Sequence, residues 1–218
     1  MKTIGLLHTV PTVLATFEGR LRSAMPDQEL LIHNTFDTFL ASDANLHGFT
    51  LANRNRLFYL LRALDLQGAD VLVVTCSTLS PSVEQIRPFL STPVVAIDDA
   101  MTAKAVGQGE KITLLATAYS TVEPSTAKLR LEAAKIGRSL EIETIVCDAA
   151  YTAIKKLDQE THDRVLKEAA ATIKGRDAIV LAQASMGHLE GEIQEIAGIP
   201  TFSSPQSCIA LVKEILGL

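Results

Sequence analysis

The run Gly68-Ala69-Asp70-Val71-Leu72-Val73-Val74-Thr75-Cys76-Ser77-Thr78 is apolar at every position from Val71 to Val74. A strand with no polar face has no side turned to water, which is the pattern of a parallel strand covered by helices on both faces. Gly68 and Asp70 supply the turn that enters it, and Ser80-Pro81, just beyond the hydroxyl-rich exit, marks a helix start. Strand, turn and helix in that order make one unit of an alternating α/β fold.

Outward from this run the same pattern recurs. Strands are expected at Thr3 to Leu7, Glu29 to His33, Val71 to Thr75, Pro93 to Ala96, Lys111 to Ala116, Glu141 to Val146, Ala178 to Ala182 and Pro200 to Phe202. Helices are expected between them. Leu51 to Leu66 has an apolar stripe of Leu57, Leu60, Leu61 and Leu64, with Arg54, Arg56 and Arg62 left for water. The chain also repeats itself. Ile4 to Thr9 reads against Ile112 to Thr117, Gly68 to Cys76 against Gly175 to Gln183, and Pro93-Val94-Val95 against Pro200-Thr201-Phe202. A repeat in strand order implies two similar α/β lobes, expected over residues 1–96 plus 205–218 and over 97–204. Open α/β sheets bind ligands at the carboxyl ends of their strands, so functional residues are sought after Leu7, Thr75, Ala116 and Ala182.

Composition narrows the function. Of 218 residues, 47% are hydrophobic and 21% charged, the balance of an ordered globular chain. The net charge of -5, with no stripe of Lys and Arg, argues against a nucleic-acid partner. No apolar run approaches the roughly 20 residues of a membrane span, and the N-terminal apolar stretch is broken by Gly5, His8 and Pro11. Three cysteines cannot all pair within the chain, so free thiols and a cytoplasmic location are expected. Gly107-Gln108-Gly109 follows a helix pattern and precedes a strand, the wrong order for a phosphate loop, and reads as a turn. No metal-ligand cluster stands out in the sequence. Asp98-Asp99 reads as a helix cap.

Cys76 is the most informative side chain, because it follows the strand directly and precedes Ser77 and Thr78 at a helix entrance. Backbone amides and the helix dipole favour an anion there. Cys147 and Cys208 read as structural. His8 ends the first strand. His33 and Asn34 are expected at the end of the second, where they would line a pocket. His47 reads as solvated, His162 as structural beside a cap formed by Thr161 or Asp163 ahead of a helix from Val165 to Ile173, and His188 as a residue within reach of the cleft.

Val74-Thr75-Cys76-Ser77-Thr78 resembles the first-half Cys-Asn-Thr motif of the aspartate/glutamate/hydantoin racemase superfamily, and Leu115-Ala116-Thr117 with Ser120-Thr121 is similar to its central Ala-Thr segment. Ile97 to Met101, Val122 to Ser125, Thr161-His162-Asp163, Val180 to Met186 and Ser203-Ser204-Pro205 resemble a subgroup of it. The resemblance implies two Rossmann-like lobes with parallel sheets, related by a pseudo-two-fold axis, and an active site in the cleft between them. It implies an isomerase that needs no cofactor and no metal, acts on a small carboxylic acid such as an amino acid, a dicarboxylate or a hydantoin-like ring, and assembles as a homo-oligomer. In such an enzyme two cysteines exchange a proton at opposite faces of the substrate α-carbon.

Charge developing next to a carboxylate needs hydrogen-bond donors. The residues placed to bind substrate are Thr9, Asn34, Ser77, Thr78, Thr117, Ser120, Thr121, Gln183, Ala184 and Ser185, with Cys76 and His8 as catalytic candidates. This chain departs from the pattern in its second half. Aligned on Asp70 and Asp177, Cys76 falls opposite Gln183, and a shift of one puts Ala184 there; neither carries a proton. His8 could supply the second acid/base. Alternatively, Cys76 could add to an unsaturated acid, as in maleate cis-trans isomerases, or protonate the carbanion left by a decarboxylation, as in arylmalonate decarboxylases. The rival from another class is a binding protein that kept the cleft without turnover.

Overall fold

The computed structural model describes residues 1–218, Asn45 by its backbone alone. The chain divides into unit 1, Met1–Ile97 with Cys208–Leu218, and unit 2, Asp98–Ser207. Unit 1 runs β1 (Lys2–His8), α1 (Pro11–Ala24), β2 (Leu30–Phe36), α2 (Thr38–His47), α3 (Leu51–Leu66), β3 (Val71–Val74), a 3-10 turn (Ser77–Leu79), α4 (Ser80–Ile86) and β4 (Val94–Ala96). Unit 2 runs α5 (Asp99–Gln108), β5 (Lys111–Ala116), a 3-10 turn (Tyr119–Thr121), α6 (Val122–Lys135), β6 (Glu141–Val146), α7 (Asp148–Lys155), α8 (Gln159–Thr172), β7 (Ala178–Leu181), a 3-10 segment (Ala184–Leu189), α9 (Glu190–Ala197) and β8 (Thr201–Ser203). The last helix, α10 (Ser204–Leu216), starts in unit 2 and returns the chain to unit 1.

Each unit holds one all-parallel sheet, in the orders β2-β1-β3-β4 and β6-β5-β7-β8. The strand period of two sorts the continuous apolar runs onto two faces. Leu72 and Val74 join Leu57, Leu61, Leu64, Leu79 and Val83 on one face of the first sheet. Val71 and Val73 join Phe17 and Leu21 of α1 and Cys208, Ile209 and Val212 of α10 on the other. Unit 2 is built likewise. Ile179 and Leu181 pack on Leu166, Ala170 and Ile193, while Ala178 and Val180 pack on Met101, Ala105, Leu129 and Ala133. Burying each branched side chain contributes about 1.5–3 kcal/mol, so these apolar runs are what hold the layers together.

The internal repeat extends to hydrogen bonds. The Asp70 carboxylate accepts from the Thr3 N–H at 2.7 Å, and that of Asp177 accepts from the N–H groups of Glu110 and Lys111, each at 2.8 Å. Both aspartates thus tie the start of a central strand to its neighbour. Gly109 is required there, because a Cβ on it would lie 2.2 Å from Asp177 Oδ2. Two expectations need correcting. Asp98 makes no side-chain capping bond, and Asp99 instead pairs with Lys128 at 2.6 Å. Helix α8 begins at Gln159, six residues before Val165, because Asp158 caps it by accepting from Thr161 N–H at 3.0 Å.

Candidate active site

A parallel sheet binds ligands where its strand order reverses, since the loops leave in opposite directions there and open a crevice. In these orders the reversal falls between β1 and β3 in unit 1 and between β5 and β7 in unit 2. Leu7 pairs with Val74, and Thr75 N–H donates to Leu7 O at 3.0 Å. Leu115 pairs with Leu181, and Ala182 N–H donates to Leu115 O at 2.9 Å. Continued past the ladders, the two registers set Thr9 opposite Cys76 and Thr117 opposite Gln183. The equivalence of Cys76 and Gln183 is therefore a matter of strand geometry, and both residues adopt extended backbone just before a 3-10 segment.

The two ends differ in how their polar groups are satisfied. In unit 2 the Gln183 carboxamide spans the loop after β5, accepting from Thr117 N–H at 3.1 Å and donating to Thr121 Oγ1 at 2.9 Å. Thr121 in turn donates to Ala118 O at 2.8 Å. In unit 1 Cys76 stands in that place, and the Thr9 hydroxyl is buried without a partner. Leaving a buried hydroxyl unpaired costs about 1–3 kcal/mol. Cys76 is a free thiol with 9% of its surface exposed, and it belongs to the apolar cluster of Leu7, Leu40, Ala44, Leu79 and Val83. Ser77 and Thr78 beside it are half-buried.

His8 sits at the end of β1, wholly buried, with its ring edge-on to Phe17 at 6.4 Å. Its Nε2 lies 3.1 Å from Asn34 Oδ1, and its Nδ1 lies 2.8 Å from Thr75 Oγ1. The tautomer follows from the far end of this chain of contacts. Glu18 only accepts, so Asn34 must turn its Nδ2 to it, at 2.6 Å, and its oxygen to His8. His8 therefore carries its hydrogen on Nε2, and the Thr75 hydroxyl lies between His8 Nδ1, at 2.8 Å, and the Leu7 carbonyl, at 3.2 Å. Burial lowers the His8 pKa, opposed by the Asn34 hydrogen bond and the Glu18 charge. Glu18 is held below the usual carboxylate range by hydrogen bonds from Asn34 and from Arg22. Unit 2 has Ala116 and Ala182 at the positions of His8 and Thr75 and so lacks this network.

The remaining sequence candidates separate. Asn34 lies within β2, opposite Leu6, because the strand runs on to Phe36; His33 is likewise inside the strand, opposite Gly5, and not at its end. Ser120 and Ser185 are exposed, and Ala184 is half-buried. His188 is bound to Asp163 of α8, with Nε2 2.9 Å from Oδ2. Cys147 is buried at the end of β6, and burial pushes its thiol pKa up. Among the described residues no group of three or more His, Cys, Asp or Glu side chains is placed to hold a metal ion, and no helix is long and apolar enough to cross a membrane. Sequence reasoning missed Glu18. Its one signal was Arg22 four residues on, the spacing of the 2.8 Å ion pair they form.

Two units, each with one four-stranded all-parallel sheet flanked by helices, make up a fold that solved racemases share. The chain belongs to the Asp/Glu/hydantoin racemase family, whose family model matches residues 12–212. A glutamate racemase isoform of Bacillus anthracis superposes with a TM-score of 0.71 at 16% identity, over 99% of this chain and 82% of that one. The aspartate racemase of Picrophilus torridus gives 0.69 at 19% identity, over 100% and 95%. The allantoin racemase of Klebsiella pneumoniae gives 0.67 at 16% identity, over 100% and 88%. At these identities what is shared is the fold.

Proposed function

We propose that this chain is an isomerase-type enzyme in which the sulfur of Cys76 moves a proton at the carbon beside the carboxylate of a small acid. The supporting observation is the pairing of that thiol, by register, with the unpartnered buried hydroxyl of Thr9 at the switch point of unit 1. In the forward step the thiolate takes the α-proton, an S–H bond forms as the C–H bond breaks, and the electron pair passes into the carboxylate as an enediolate. Thr9, Ser77 and Thr78 are the donors nearest in sequence register to hold that charge. Return of a proton from the thiol regenerates the acid.

Gln183 and His8 act differently from the two-carrier pattern. A carboxamide does not carry a proton at neutral pH, and Gln183 holds the loop from Thr117 to Thr121. Both His8 nitrogens are engaged, so His8 serves by fixing Thr75, the residue before Cys76. With a single carrier, protons exchange with solvent faster than configuration inverts. The test is a thermal-shift panel of amino acids, dicarboxylates and hydantoins on the wild type, Thr9→Val and Cys76→Ala. A binding acid should lose about tenfold in affinity with Thr9→Val, the worth of one hydrogen bond at about 1–1.5 kcal/mol. Cys76→Ala should keep binding and lose turnover. Unchanged affinity in Thr9→Val, or unchanged turnover in Cys76→Ala, contradicts the reading.

A further inference from the structure

Helix α3 of unit 1 is apolar on two opposite sides. Leu57, Leu61 and Leu64 face inward and pack with Leu7, Leu72 and Val74 of the sheet. The other side carries Leu51, Asn55, Phe58, Tyr59, Arg62 and Leu66, which fall within an arc of roughly 100° at the helical period. Leu51, Tyr59 and Leu66 are 74%, 68% and 70% exposed, and Phe89, beyond α4, is 71% exposed. Between α3 and α4 lies a groove of about 340 Å³, lined by Arg54, Asn55, Phe58, Gln85, Ile86 and Phe89. A surface helix with one buried face needs an apolar stripe on that face alone. Single exposed apolar residues are ordinary, but a contiguous apolar patch marks a surface that associates.

The order of residues along that side points to what covers it. Leu51 and Leu66 stand at its two ends, Asn55 and Arg62 a turn further in, and Phe58 and Tyr59 at its middle. The stripe therefore reads alike from either end. Two copies of α3 laid antiparallel, about a two-fold axis passing between Phe58 and Tyr59, bring Leu51 against Leu66, Asn55 against Arg62 and Phe58 against Tyr59. Each pair occurs twice, as an isologous contact requires. We propose that two copies of the chain associate through this face, α3 against α3, with Tyr59 of each copy seated in the α3–α4 groove of the other. Arg54 and Gln85, bonded across that groove at 3.1 Å, offer the Tyr59 hydroxyl a partner. Charge favours the same register. Arg62 is paired with Asp65 and meets Asn55 of the second copy, Arg56 is paired with Asp37 at 2.7 Å, and no two arginines are opposed. A parallel alignment would set Arg62 on Arg62. The area is also adequate: two aromatic side chains of about 150–250 Å² each, with two leucines as open, give roughly half of the about 800 Å² that each partner of a specific complex buries. Arg54, Asn55, Arg62 and Gln85 supply the polar rim.

The contact does not depend on the Cys76 chemistry and is tested on the full chain without substrate. Sedimentation equilibrium of the wild type, at about 1 to about 100 μM chain, should approach twice the chain mass, as expected of a contact of micromolar strength or better. Tyr59→Glu should weaken association at least about thirtyfold, the loss of a central hot spot, with an unchanged circular dichroism spectrum because the side chain is exposed. Leu157→Glu, at a position 91% exposed in unit 2, should leave association as it was. The register is read by cross-linking. Leu51→Cys and Leu66→Cys combined in one chain should give a covalent dimer with a short bismaleimide, since packed helices lie about 8–10 Å apart. Within one chain the two positions are about 22 Å apart along α3, too far to bridge, and the native thiols are buried. Neither single substitution should cross-link. A wild type of single-chain mass throughout the range overturns the proposal and leaves the face to a different protein. A dimer that survives Tyr59→Glu, or a double variant that cross-links no more than the single ones, overturns it as well.

Discussion

His8 is the residue through which acid acts on unit 1. Its folded pKa is lowered from 6.5, mainly by burial, so below about 6.5 the unfolded chain binds a proton that the folded chain resists. Stability is therefore fully present above the unfolded value and is lost as pH falls through it toward the folded pKa. Urea midpoints at about pH 7.5 and about pH 5.5 should fall with acidification in the wild type, and His8→Gln should flatten that fall; an equal fall in both proteins would mean that other groups carry it. The substitution should also cost about 1–3 kcal/mol at neutral pH, because Asn34 and Thr75 lose a buried partner. Cys76 and its replacement by Gln183 in the second half were legible in the sequence, since both follow Gly-x-Asp and an apolar run at the same distance. The His8 network was not, because Asn34 and Thr75 are 26 and 67 residues away in sequence and meet His8 only through strand pairing.

The strands were readable because central parallel strands buried on both faces leave continuous apolar runs, as at Val71–Val74 and Ala178–Leu181, and Lys111–Ala116 begins and ends where the residue pattern does. Helix α8 was read short because Gln159 to Arg164 is mostly polar and carries no apolar period, while the capping that starts it comes from Asp158. Gly5 shows what the central strand tolerates. A Cβ there would lie 2.7 Å from Leu72 Cδ2 and 3.1 Å from Leu64 Cβ. Gly5→Ala should therefore cost about 1–3 kcal/mol in a urea titration, as overpacking between α3 and the sheet; a neutral result would mean that α3 can move aside. Just past β7, Gln183→Leu keeps the bulk of the side chain and removes both its hydrogen bonds to the loop after β5. The Thr117 amide should then exchange about fivefold faster, since one hydrogen bond is worth about 1 kcal/mol, while amides inside β5 and β7 keep their rates.

Each unit has its own apolar clusters, and unit 1 is completed only when α10 brings Cys208, Ile209, Val212 and Leu216 onto the face built from Val71, Val73, Phe17 and Leu21. At about 1.5 kcal/mol or more for each branched side chain, removing that helix takes away a large share of the roughly 5–15 kcal/mol that stabilises a domain. A chain ending at Ser207 should lose exchange protection in β1 and β3 and keep it in β5 and β7; equal loss in both sheets would show that the units unfold together. The central claim, that Cys76 carries a proton to and from the carbon beside a carboxylate, is tested most directly by proton NMR of candidate acids in D2O. The wild type should wash out the α-proton signal of at least one amino acid, dicarboxylate or hydantoin, with configuration largely retained, and Cys76→Ser, with an unchanged circular dichroism spectrum, should not. Exchange that persists in Cys76→Ser, or a wild type that exchanges none of them, would contradict it.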